Sequence, residues 1–175
     1  MIINRVWAMP NKWTFKIPPI AELIARYVGD GKGWVDPFAG MYSPAEFTND
    51  LNPQCPAKSH MDAIDWLKSL LGEYSGVLFD PPYSLHEAKV AYGALGKSFS
   101  SYEAQYVGRW IFEKAEISRL VKLNGVAITF GWNSQGVGKL NGFALEEVLL
   151  VCHGGAHNDT ICTVERKIQK SMELA

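Results

Sequence analysis

Apolar residues at Ile20, Leu23, Ile24, Tyr27 and Val28 follow the i, i+3, i+4, i+7, i+8 spacing of one helical face. Pro18 and Pro19 stand just ahead, where a first helical turn tolerates the missing N–H, and Gly29 follows where a helix stops. The pattern predicts an amphipathic helix with both ends marked. Beyond it the period shortens. Trp34-Val35 runs into Asp36-Pro37-Phe38-Ala39-Gly40, and Phe47 to Asp50 runs into Leu51-Asn52-Pro53, so each reads as a short buried strand broken by a turn. Next comes an expected strand end at Met61-Asp62, then a short helix carrying Ile64, Leu67, Leu70 and Leu71. Gly76 to Phe79 is a further strand that stops at Asp80-Pro81-Pro82-Tyr83.

A polar stretch from Ser84 to Ser101 leads into a helical pattern through Tyr106, Trp110, Ile117, Leu120 and Val121, expected to stop at Asn124-Gly125. Val126 to Phe130 is another strand. Leu145 to Cys152 and Thr160 to Val164, joined by a polar turn, predict an antiparallel hairpin. Strands alternating with helices and closing on such a hairpin imply an α/β fold: an open, mostly parallel sheet with an antiparallel strand at one end. Ligands of such sheets sit at the carboxyl ends of the strands.

A chain of 175 residues with 47% hydrophobic content can bury one core of its own, so residues 1–175 are read as a single domain. No window approaches the ~18 apolar residues of a membrane span, and the first ten residues do not resemble a secretion signal; a cytoplasmic protein with no membrane partner is expected. Cys55, Cys152 and Cys162 are widely spaced and odd in number, the pattern of reduced thiols rather than of a zinc or other metal site. Seventeen Lys and Arg against eighteen Asp and Glu give a net charge of -1, which is not the strongly basic balance of a protein that holds nucleic acid by phosphate neutralisation alone. Any contact with nucleic acid must therefore be local.

Asp36, Asp50, Asp62, Asp80 and the Gly131-Trp132-Asn133 turn each follow an apolar run, so all should line one edge of the sheet. One polar residue at a strand end is ordinary; five together point to a site. The most specific is Asp80-Pro81-Pro82-Tyr83. It is similar to a motif of the S-adenosylmethionine-dependent amino-methyltransferases, and that resemblance implies that the Asp80 carboxylate and the Pro81 carbonyl accept the two N–H groups of an exocyclic amine and favour the pyramidal geometry it adopts as it attacks. The prolines stiffen the turn, and Tyr83 offers an aromatic face to a base swung out of its helix. Direct attack by the amine on a sulfonium methyl needs no nucleophilic cysteine. Cys55, which precedes a proline rather than following one, is read as structural or surface.

This tetrapeptide resembles motif IV, D/N/S-P-P-Y, of the S-adenosylmethionine-dependent amino-methyltransferases. The resemblance covers most of the chain in the family's order and implies a Rossmann-like class I methyltransferase fold. Asn11 to Phe15 looks like motif X, which places Thr14 and Phe15 near the amino-acid end of the cofactor. Asp36, Pro37, Phe38, Ala39 and Gly40 are similar to motif I and would meet the methionine moiety. Asp50, with Leu51, matches the acidic residue that takes the ribose hydroxyls, and Asp62-Ala63 resembles motif III, where the Asp takes the adenine amino group. The resemblance implies S-adenosyl-L-methionine as cofactor, DNA as partner, catalysis by Asp80, Pro81, Pro82 and Tyr83, and transfer to adenine N6 on a flipped base. Adenine or guanine in RNA, cytosine N4 and protein glutamine remain open as acceptors, as does a catalytically silent cofactor-binding subunit. The small, stand-alone form is similar to phage or mobile-element enzymes, which implies a prokaryotic or phage-infected host cytoplasm.

Two departures stand out. Only Met41 to Thr48 separates Gly40 from Asn49, so the first crossover is expected to shrink to about one turn. No block of the ~100 residues of a separate recognition module exists. Substrate contacts are therefore expected from Ser84, Lys89 and Lys97 in the loop after the motif, where Tyr92, Phe99, Tyr102, Tyr106 and Arg109 add aromatics and charge. Further contacts are expected from Trp132 and Asn133 and, in the last turn, from His157 and Asn158. His153, His157, Asn158 and Asp159 themselves read as hairpin-turn chemistry rather than as a metal site. A homodimer or a partner subunit is expected to supply the rest of target recognition.

Overall fold

The computed structural model describes residues 1–83, 85–94, 96, 110–155 and 157–169. Along the chain lie β1 (Ile2–Trp7), a tight helical turn (Thr14–Lys16), α1 (Pro18–Val28), β2 (Trp34–Asp36), β3 (Phe47–Thr48), α2 (Ala63–Ser69) and β4 (Tyr74–Phe79). They are followed by α3 (Leu85–Ala94), α4 (Ile111–Leu120), β5 (Val121–Gly131), a second tight turn (Lys139–Asn141), β6 (Phe143–Cys152) and β7 (Thr160–Lys167). The strands form one sheet in the order β1-β6-β7-β5-β4-β2-β3. β2 pairs in parallel with β3 and β4, β4 with β5, and β1 with β6. β7 runs antiparallel to both neighbours, β5 and β6.

The expected α/β sheet and its C-terminal hairpin are thus present, but the antiparallel strand sits inside the sheet rather than at its end. The difference comes from β7, which inserts between β5 and β6 and leaves β6 parallel to β5. Outside β6 lies β1, a strand the sequence pattern did not reveal. Its residues are mostly exposed and lack alternation, because it adds to the outside of β6. α1 forms as read: Ile20, Leu23, Ile24 and Val28 are buried, the prolines occupy its first turn, and Gly29 ends it at φ 62°. It is fastened to the sheet by Glu147 of β6, which is buried and accepts both terminal nitrogens of Arg26 at 2.9 and 3.0 Å and the Tyr27 hydroxyl at 2.7 Å. Burial opposes that charge, but the Arg26 and Tyr27 hydrogen bonds outweigh it and hold the Glu147 pKa below its ordinary value.

Successive residues of the central strands feed opposite faces. Leu78, Ile128 and Phe130 pack with α1 and with Leu149, Val151 and Val164. Val77, Phe79 and Ala127 pack with Trp66 and Leu67 of α2 and Ile117 and Leu120 of α4. The sheet is therefore covered on both sides, and polar groups that leave the core concentrate at its ends.

Three expected boundaries are corrected. Met61-Asp62 is not a strand end; the chain touches the sheet only through a bridge between Asn49 and Ser59, and Asp62 is the N-cap of α2, accepting from the Ile64 amide at 3.2 Å. α4 stops at Leu120 rather than at Asn124-Gly125, because β5 already pairs with β4 at Val121 and carries Asn124 as a kink at φ 63°. The Tyr106 end of that expected helix lies outside the described residues. The first crossover, residues 37–46, contains turns but not even one helical turn. Among the described residues, no helix is long and apolar enough to cross a membrane.

Candidate functional site

From β2 the chain steps outward to β3 on one side, while β4 pairs on the other. Loops leaving the carboxyl ends of β2 and β4 diverge at this point, which opens a crevice between them. A cleft of about 510 Å³ lies here, bounded by Trp13 and Thr14 of the segment before α1, Phe38 and Gly40 after β2, Asp50 and Leu51 after β3, and Asp80 to Tyr83 after β4. Met61, Ala63 and Tyr92 close its far wall.

The loop after β2 is shaped from beneath by two residues that face inward. Asp36 is fully buried; its carboxylate accepts from the Phe38 amide at 3.0 Å and from the Ser43 hydroxyl at 2.6 Å. Burial pushes its pKa up to about 8, the Ser43 and Phe38 hydrogen bonds pull the other way, and the charges of Asp80 and Asp50 raise it further. Asn49, also buried, donates to the Pro37 and Met61 carbonyls at 3.2 and 3.0 Å and accepts from the Met61 amide at 2.9 Å. It stitches the loops after β2 and β3 to the entry of α2. Sequence reasoning passed over Asn49 because it stands beside the more conspicuous Asp50; an amide one residue beyond a buried strand was the available signal.

Asp50 holds the rim. Its two oxygens accept from the Gly40 amide and the Asn52 amide, each at 2.8 Å, and the Cys55 thiol also bonds to this carboxylate, so a ligand would share an acceptor that is already partly engaged. The Gly40 φ of 53° is a left-handed turn suited to glycine, and a Cβ there would approach the Trp13 ring at 3.8 Å. Asp62 serves α2 with one oxygen and accepts the Tyr92 hydroxyl at 3.1 Å with the other, tying α3 to α2. It stands behind Met61 and Ala63 rather than among the residues that line the cleft.

Asp80 sits one residue past β4. The Tyr83 hydroxyl donates to its Oδ1 at 2.6 Å and lies 3.4 Å from Thr14 Oγ1. Burial, and then the neighbouring Asp80 carboxylate, raise the Tyr83 pKa well above its ordinary value, so the proton stays on the phenol. The ring also meets Trp132 edge-on, with centroids 5.8 Å apart. Cys55 borders the cleft as a buried thiol pushed up to about 11 by burial and the nearby Asp50, and is protonated near neutral pH.

The structure brings together Thr14, Pro37, Phe38, Gly40, Asp50, Leu51, Ala63 and Asp80 to Tyr83 in this cleft. Phe15 and Ala39 border an adjoining pocket. Trp132 and Asn133 lie behind Tyr83, around a small crevice that also includes Lys114. Lys89 is exposed on α3; Ser84, Lys97, Phe99, Tyr102, Tyr106 and Arg109 lie outside the described residues. His157 and Asn158 are exposed in the β6–β7 turn, at the same edge of the sheet but outside the lining of the cleft. His153 is buried there, with ring nitrogens 2.9 Å from the Ala8 carbonyl and the Thr160 hydroxyl, a structural staple between β1 and the hairpin.

No family model matches the sequence, and no curated protein matches it. The fold itself has counterparts among solved structures. TrmN from Thermus thermophilus superposes with a TM-score of 0.58 over 87% of this chain at 16% identity, and the chain spans 49% of TrmN. The 1,6-didemethyltoxoflavin-N1-methyltransferase of Burkholderia thailandensis, solved with its substrate and S-adenosylhomocysteine, gives 0.55 at 14% identity over 86% of this chain and 77% of its own. The N-methyltransferase NodS of Bradyrhizobium japonicum, solved with S-adenosylhomocysteine, gives 0.51 at 9% identity over 85% of both chains. The chain has the Rossmann-like class I methyltransferase fold.

Proposed function

We propose that this chain transfers a methyl group from S-adenosyl-L-methionine to an exocyclic amino nitrogen of a nucleobase, namely N6 of adenine in DNA. The observation that carries the reading is one cleft whose lining holds both Asp50 and Asp80, the latter with its carboxylate oriented by Tyr83. Methyltransferases of the same fold were solved with S-adenosylhomocysteine, the product that such a transfer leaves behind.

The residues fit that cofactor. About 510 Å³ falls within the ~300–1,000 Å³ of small-molecule sites. Asp50 keeps acceptor capacity for a ribose diol, and Phe38, Leu51, Met61 and Ala63 offer apolar walls for an adenine ring. When bound, the cofactor supplies a methyl group made electrophilic by its sulfonium.

Asp80 accepts an N–H of the incoming amine while Tyr83 fixes its second oxygen, so the carboxylate arrives already aimed and spends little on reorganisation. Withdrawing N–H density toward Asp80 localises the nitrogen lone pair for attack. The N–C bond forms as the C–S bond breaks, and the surplus proton leaves the nitrogen for Asp80 and then solvent. Pro81 and Pro82 hold the loop in one conformation, and the Tyr83 ring walls the position of the base.

Tritium transfer from labelled cofactor to DNA, RNA and protein, followed by nucleoside analysis, tests the proposal. Label recovered in N6-methyladenine from DNA supports it. Label confined to RNA or to another amine revises the acceptor, and cofactor binding without transfer to any of them leaves the silent-subunit reading.

A further inference from the structure

Beside the cleft two lysines are held over aromatic rings, Lys12 within its lining and Lys16 outside it. Lys12 Nζ lies 5.0 Å from the Trp13 ring centroid and Lys16 Nζ 4.8 Å from that of Tyr42, while the two rings meet edge to face with centroids 5.8 Å apart. Both lysines are exposed, and neither takes part in an ion pair among the described residues. A pocket of about 180 Å³ adjoins the cleft here, with Lys12, Trp13, Tyr42 and Asp80 in its lining together with Phe15 and Phe38. We infer that the Lys12–Trp13 and Lys16–Tyr42 pairs form a rim that grips backbone phosphates flanking the target nucleotide, so that its base is presented to Asp80 and the Tyr83 ring.

The inference rests on the reading of the cleft as a base-methylating site and adds the surface that receives the strand. A lysine on a bare surface sweeps many rotamers and pays to be fixed at a contact. Here each ammonium is drawn to a ring face, an attraction of about 0.5–1 kcal/mol at exposed sites, so less freedom remains to be lost. The rings are placed in turn: the Trp13 ring borders Gly40, whose amide is held by Asp50. The rim therefore keeps a set position relative to the cleft. A net charge of -1 makes any contact with nucleic acid local, and two positioned cations beside the cleft are such a local device. The partner this suits is a single strand or an unpaired nucleotide within a duplex, because Asp80 lies within the cleft and meets a base only when that base has left its helix.

The test is fluorescence anisotropy with a short labelled single-stranded DNA and its RNA counterpart across a salt series, using the full chain and the Lys12→Gln/Lys16→Gln variant. Each phosphate contact contributes about 0.7 to the slope of log affinity against log salt for single strands, so the variant is expected to lose about 1.4 of slope and roughly tenfold in affinity. Lys12→Arg/Lys16→Arg should restore the slope. Both substitutions are on exposed side chains, and a thermal melt verifies the fold. An unchanged slope in the Gln variant overturns the inference, as does binding of an acidic peptide of equal charge in preference to the oligonucleotide. Calorimetry with S-adenosyl-L-methionine separates the two claims: cofactor binding with lysine-independent strand binding defeats the rim alone, whereas lysine-dependent strand binding without cofactor binding upholds the rim and defeats the methyl-transfer reading.

Discussion

The Tyr83 hydroxyl donates to Asp80 Oδ1 at 2.6 Å, which makes the aromatic residue of the tetrapeptide a positioning group for the carboxylate as well as a wall for a base. A hydrogen bond to a charged group is worth about 1.5–3 kcal/mol. Tyr83→Phe keeps the ring and loses that bond, so kcat should fall roughly tenfold or more while cofactor affinity stays level. Asp80→Ala, which removes the acceptor itself, should cost about 10²–10³ in kcat. Steady-state kinetics on both variants distinguishes the roles: a Tyr83→Phe enzyme as active as wild type would reduce Tyr83 to a stacking surface.

Asp50→Ala should fail in the opposite manner. Two ribose hydroxyls lose a charged acceptor, so the dissociation constant for S-adenosyl-L-methionine should rise about 10–100-fold, with turnover recovering at high cofactor. Calorimetry gives the constant directly, and an unaltered value would remove Asp50 from the cofactor site.

The elements with a strong period were legible from the residues alone. α1 carries both a continuous apolar stripe and end signals, and Val77 to Phe79 and Val126 to Phe130 are apolar runs closed by turn chemistry. β1 was not legible, since an edge strand with exposed Ile2, Ile3 and Trp7 has neither alternation nor burial to show and is defined by its long-range pairing with β6. Asp80 and Asp50, strand-end carboxylates in the sequence pattern, do line the cleft. Asp36 and Asp62 had the same sequence signature, yet one faces inward beneath its loop and the other caps a helix. Where a carboxylate points depends on which amides its own loop leaves unpaired, and spacing along a chain does not record that.

The buried Asp36 imposes a pH dependence on stability. Its folded pKa of about 8 lies above the ordinary 3.8, so between those values the folded state holds a proton that the unfolded chain releases. Its contribution is full below about 3.8 and is lost as pH rises toward 8, at up to about 1.4 kcal/mol per pH unit. Asp36→Asn cannot ionise and should flatten this decline, leaving the variant more stable than wild type above pH 8 in thermal melts. Parallel melting curves for the two proteins would contradict the buried, protonated carboxyl.

Gly31 is irreplaceable for a simple reason: at φ 81° an added Cβ would lie 1.9 Å from the Pro44 carbonyl oxygen, backbone that cannot swing aside. Gly31→Ala should cost about 2 kcal/mol or more, a drop of roughly 4–8 °C in Tm for a chain of this size. The displaced loop also carries Gly40, so cofactor affinity should decline with it. A melt within a degree of wild type would show that the 37–46 loop yields more easily than its packing implies.

The most direct measurement is methyl transfer itself: tritiated S-adenosyl-L-methionine incubated with adenine-containing DNA and the wild-type chain or Asp80→Ala, each first shown by calorimetry to bind cofactor. Wild type should yield labelled N6-methyladenine and Asp80→Ala should yield ~10²-fold less or none at equal cofactor occupancy. Equal label in both proteins, or no label from a wild-type chain that binds the cofactor, would contradict the assignment of Asp80 to the acceptor amine.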